Sequence, residues 1–92
     1  MSGATAIVLD DTPNQAVVRL AERRFPGVVL QGDSLKALYD DVAEAAGALR
    51  AADPVRASEE IEGVLQRLAD LLQHYESVLA SAGIEVPYQR IR

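Results

Sequence analysis

From Ile61 to Ala82 the chain keeps one apolar rhythm: Ile61, Leu65, Leu68, Leu72, Tyr75, Leu79 and Ala82 step by four and by three, and Val64, Leu71 and Val78 add a second row at intervals of seven. Only a long α-helix carries such positions on one side. The face is wider than a minimal coiled-coil seam, so the helix must pack on two surfaces, most simply a second helix and either a sheet or another subunit. Gly83 is suited to the left-handed position that ends the helix, with Ile84 turned back onto Leu79. Pro87 keeps the tail, 84–92, from continuing it.

A shorter helical stripe precedes it. Leu35, Leu38, Val42, Ala45, Ala46 and Leu49 recur at helical spacing, and Asp33 or Ser34 is placed to cap the start. Asp53-Pro54 closes that helix and opens the next, with aspartate as the cap and proline at the first helical position. The first third reads as strands instead. ATAIVL and QAVVRL flank the turn formers Asp10-Asp11-Thr12-Pro13-Asn14, which predicts a hairpin. Pro26-Gly27 predicts a type II turn before a third strand. The expectation is one small α+β domain over 1–92, a three-stranded antiparallel sheet followed by a two-helix hairpin in the order β-β-β-α-α. Strands fall at about 4–9, 15–20 and 28–31, and helices at about 34–52 and 55–82.

A chain of 92 residues buries roughly 60–65% of its unfolded surface and gains from a partner. Fourteen acidic against nine basic residues leave a net charge of -5, which disfavours nucleic acid, whose binding draws on Lys and Arg. The acids crowd the helical region, from Asp40, Asp41 and Glu44 to Asp70 and Glu76, and suit a cationic protein partner. There is no cysteine, so disulfides and thiolate metal sites are excluded. MSGATAIVLDD has no basic n-region and its apolar run is too short for a signal peptide or a membrane span, which points to the cytoplasm.

Motifs for chemistry are sparse. Residues 27–34, GVVLQGDS, share the G-x-x-x-x-G-x-S frame of a phosphate-binding loop, but Asp33 stands where that loop needs lysine and the interior is β-forming. The stretch reads as a turn, a strand and a helix start. His74 is the only histidine, flanked on its helix by Asp70 and Ser77, and is expected to face solvent. The acidic runs lack the spacing of a calcium loop, so no metal or cofactor is expected. Arg23 and Arg24, beside Phe25, are either surface charges or an anion or partner contact. A sheet edge carrying Val17 and Val18, or alternatively Val28 and Val29, the long-helix face of Leu65, Leu68, Leu72, Tyr75 and Leu79, and Tyr88 in the tail form the expected interface set.

FPGVVLQGDSLKALYDDVAEAAGAL resembles the strand-turn-helix segment of HicB-type antitoxins at Pro26-Gly27, Gly32-Asp33-Ser34 and Glu44-Ala45. It departs from them at Ala37-Leu38, where Glu-Ala is usual, and a second long helix replaces their next strand; operator binding is not implied. AVVRL, RRFPGVVLQGDSL, HYESVL and GIEVPY together are similar to a group of short bacterial proteins of unassigned function. The expected function is therefore a non-catalytic protein-protein interaction module of antitoxin, immunity or accessory-subunit type, working as a homodimer or on a larger protein. The alternative is a small ligand-binding or catalytic domain using His74 and nearby carboxylates or an Arg23/Arg24 anion clamp.

Overall fold

The computed structural model describes residues 5–89. Strands β1 (Ala6–Asp10), β2 (Ala16–Leu20) and β3 (Gly27–Val29) precede helices α1 (Gly32–Arg50) and α2 (Pro54–Ser81), giving the order β-β-β-α-α. Both strand pairings are antiparallel and β2 is central. The chain divides into two compact units, one of Gln31–Asp70 and the other of the segments up to Leu30 and from Leu71 onward, so that α2 contributes to both.

In the sheet-bearing unit the turn formers act locally. Asp10 accepts the Thr12 N–H at 3.0 Å, Gln15 N–H bonds Thr12 C=O at 3.1 Å, and Asn14 takes a positive φ of 63°. The second connection differs from the expected type II turn. The reversal lies earlier, at Glu22 with φ 67° and an Arg23 N–H to Leu20 C=O bond, whereas Gly27 is already paired with Val18 in β3. The residues after Pro26 are thus extended, as the ladder requires. Val17 on β2, with Tyr75 and Leu79 on α2, forms the buried core, and Leu9, Val78, Ile84 and Val86 pack around it. The end of α2 follows the expected pattern. Gly83 has φ 70°, its N–H bonds Ala80 C=O, and Ile84 N–H bonds Leu79 C=O at 2.9 Å.

The other unit is a helical hairpin. The first helix begins at Gly32, ahead of the expected cap; Gln31 is the N-cap residue and gives no side-chain bond. Asp33 lies inside the first turn, where its carboxylate accepts the Ser34 N–H at 2.8 Å and complements the helix dipole. At the other end Asp53 has two tasks. Its N–H closes α1 onto Ala48 C=O at 2.8 Å, and its carboxylate caps α2 by accepting the Arg56 N–H at 3.1 Å. Pro54 is the first residue of α2, so residues 54–57 are helical. Ala52 fills the left-handed position of this turn, with φ 57° and no glycine. Arg56 bridges to Glu44 at 2.8 Å and Arg67 to Asp41, tying the two helices in antiparallel register.

Candidate functional site

One polar constellation joins β1 to α2 across 64 residues of sequence. His74 Nε2 lies 2.7 Å from Asp10 Oδ2, and both side chains are about three-quarters buried. A slip in strand register creates this meeting. Val8 pairs with Val18, but Asp10, two residues later, pairs with Val17, so Leu9 is the extra residue of a bulge. Strict alternation would send Leu9 and Asp10 to opposite sides of the sheet. With the bulge, Leu9 packs on the core while Asp10 reaches the helix. The Asp10 carboxyl is held below its ordinary range, first by bonds from the Thr12 side chain and N–H and then by His74. An open cleft at the pair is lined also by Leu9, Ser77, Val78 and Ser81. Chemically, the site offers a carboxylate-oriented imidazole with serine hydroxyls on the adjoining helical turns.

The two residues after His74 on α2 are buried and carry polar groups. Tyr75 donates its hydroxyl to Pro26 C=O at 2.7 Å, fixing the residue that leads into β3, and burial raises its pKa. Tyr88 from the tail stacks on the Tyr75 ring, with centroids 6.3 Å apart. Glu76 is buried, and its Oε2 has no hydrogen-bond partner among the described residues. Its acidic neighbours in sequence are exposed, and no periodicity sets it apart from them; tertiary packing alone singles it out.

Several expected site residues lie elsewhere than anticipated. His74 is not a solvent-facing helical histidine, because β1 covers it and supplies Asp10; Asp70, its expected neighbour, bonds Gln66 instead. Val17, Tyr75 and Leu79 are not available as an interface, since all three form the chain's own core. Val17 and Val18 are on the central strand and not on an edge, because β3 pairs with β2 on the side away from β1. Val18 and Leu72 are half-buried, Tyr88 is partly exposed, and Leu65 and Leu68 are exposed on α2. Arg23 and Arg24 are exposed; Arg24 lies 5.1 Å over the Phe25 ring, and Arg23 C=O accepts a bond from Arg19. Neither lines the His74 cleft. Asp40, Asp41 and Glu44 are bridged by Lys36, Arg67 and Arg56. Among the described residues no group of three or more His, Asp or Glu side chains converges as a metal site, and no helix is long and apolar enough to cross a membrane.

Fold and site together define a small α+β protein with a part-buried acid-imidazole pair and a helical hairpin rich in exposed apolar side chains. The chain belongs to a family of unknown function, DUF6959, whose match spans residues 1–88. That accords with its likeness to short proteins of unassigned function, whereas nothing ties it to HicB-type antitoxins. No curated protein and no solved structure matches the chain.

Proposed function

We propose that this protein works by binding another protein, as an interaction module of antitoxin, immunity or accessory-subunit type, and not by catalysis. One observation carries the reading. In the Gln31–Asp70 unit the buried apolar residues are Ala45, Ala48 and Ala57, while Leu35, Tyr39, Val42, Leu49, Val55, Ile61, Leu65 and Leu68 are exposed. Scattered exposed apolar residues are ordinary, but a helical hairpin that half-buries only Leu38 and Val64 among its large ones, leaves the rest outside and encloses alanines has the composition of an unfilled interface. The acidic balance weighs against nucleic acid as the partner.

The Asp10–His74 pair supports a second reading, a small-ligand or catalytic site. It is the specific polar feature in favour of that alternative: an imidazole held at 2.7 Å by a carboxylate, at a cleft. The arginine version would be a separate site, because Arg23 and Arg24 are exposed and neither lines that cleft. One comparison separates the readings. Tagged wild-type protein, a Leu65→Asp/Leu68→Asp variant and a His74→Ala variant are used to isolate a complex from the native host. Loss of the complex in the leucine variant alone is the expected outcome. An intact complex there, with loss of bound small molecule in His74→Ala, would transfer the function to the cleft.

A further inference from the structure

We infer that the apolar face of the helical hairpin is occupied by a second copy of the same chain, two hairpins closing face to face into a four-helix bundle. This rests on the interaction reading above and names its partner and its geometry.

The seam where α1 meets α2 is marked by the buried Ala45, Ala48 and Ala57, the half-buried Leu38 and Val64, and the Asp41–Arg67 bridge. Five of the exposed apolar residues come one position after a seam position: Tyr39 after Leu38, Val42 after Asp41, Leu49 after Ala48, Leu65 after Val64, Leu68 after Arg67; Leu35 and Ile61 lie one turn before Tyr39 and Leu65, and Val55, at the start of α2, does not share the relation. One residue is about 100° of helix rotation, so each helix carries its exposed stripe beside the seam. The two helices run antiparallel. Reversing a helix reverses the sense in which successive residues turn when viewed down a common axis, and the facing seams are themselves opposed. The two reversals cancel, and both stripes emerge on the same broad face.

The opposite face is polar: it follows from the positions that precede the seam, and it holds the Arg56–Glu44 bridge and the Gln66–Asp70 bond. The hairpin is therefore amphipathic as a unit. Bridges Glu44–Arg56 and Asp41–Arg67 fix its register, which sets Leu35 near the level of Leu68 and Val42 near that of Ile61 and Leu65.

Size and charge select the occupant. Leu35, Tyr39, Val42, Leu49, Ile61, Leu65 and Leu68 are between 43% and 66% exposed. At roughly 100 Å² of apolar surface each, they offer about 700 Å² per copy. That exceeds the ordinary largest patch of a monomer, about 300–600 Å², and two copies reach the roughly 1,200–2,000 Å² of a stable interface. A chain of net charge -5 associates with itself only through a face that keeps its acids apart. These seven side chains carry no charge, so the surface is self-complementary under two-fold symmetry. Helical stripes on such spacing close in bundles of this kind.

Sedimentation equilibrium of the full chain over a wide concentration range tests this, with a dimer of twice the 9.9 kDa chain mass as the expected result. Tyr39→Glu and Leu65→Glu should each weaken the dimer by at least about 100-fold, with helical circular dichroism retained because both side chains are exposed. Since the chain lacks cysteine, Val42→Cys near the expected two-fold axis should cross-link between copies, and Ala43→Cys, on the far side of α1, should not. A monomer at every concentration, or equal cross-linking at both positions, overturns the inference. An apolar-surface dye then separates the levels. A monomer that binds dye, and loses it in Leu65→Glu, rejects the second copy alone. A monomer that binds none rejects the interaction reading as well.

Discussion

The two compact units are built from similar apolar alphabets but bury different parts of them. In the sheet-bearing unit Val17 and Leu79 are fully enclosed and Tyr75 nearly so, with Leu9, Val78, Ile84 and Val86 around them. In the hairpin unit only alanines are enclosed, and Leu65 is 58% exposed although it belongs to the same heptad run as Leu79. A single helix thus supplies core at one end and surface at the other. Heptad rhythm tells which side of a helix is apolar, and a neighbouring element decides whether that side is covered.

Cavity substitutions give the largest test of this contrast. Leu79→Ala should lower the unfolding free energy by about 3 kcal/mol, because a fully enclosed leucine leaves a cavity that its neighbours fill only in part. Leu65→Ala, measured in urea at protein concentrations too low for self-association, should stay within about 1 kcal/mol of wild type. Equal losses would erase the difference between the units. Tyr75→Phe comes next. It leaves the buried Pro26 carbonyl without its 2.7 Å donor, and the expected loss is about 1–2 kcal/mol, read from the same urea curves.

The hairpin unit has a smaller, opposite test in Ala52→Gly. Ala52 holds a positive φ of 57° at the end of α1, and glycine there should stabilise by about 0.5–1 kcal/mol, seen as a raised Tm. A drop in Tm would mean that the Ala52 methyl group makes contacts worth more than its backbone strain. The smallest effect concerns acid. The Asp10 carboxyl is lowered in the folded state, so its stabilisation is complete above the unfolded value, about pH 4, and is lost as pH falls through the folded one. Asp10→Asn should flatten the stability profile below about pH 4, followed by urea unfolding at stepped pH, and an unchanged profile would show that the Asp10 carboxylate, bonded first by Thr12 and then by His74, adds no pH-dependent stability.

Much of the architecture was legible because it rests on local chemistry. The order of the elements, the Asp53-Pro54 cap and the Gly83 stop with Ile84 on Leu79 all follow from residues within a few positions of one another. Pro26-Gly27 misled for the opposite reason: a ladder partner on β2 draws Gly27 into extended backbone, and the reversal moves to Glu22, where no glycine marks it. The candidate site was less legible still. His74 was expected to face solvent, but the Asp10 that it meets is 64 residues away and turned inward by the bulge at Leu9. An aspartate among turn formers carries no sign of that; the surplus residue in β1 shows only once the strand is paired.

By itself, the sequence determined the class of each segment, the faces that are apolar, and the junctions where sheet gives way to helix and helix to helix. These are set by period, backbone preference and capping, which act over a turn or two. Only the tertiary structure decided which apolar face is enclosed, that Val17, Tyr75 and Leu79 are core while Leu65 and Leu68 are not, and that Asp10 belongs with His74. Burial and long-range pairing depend on which surfaces the folded chain brings together, and a periodic stripe looks the same before and after it is covered.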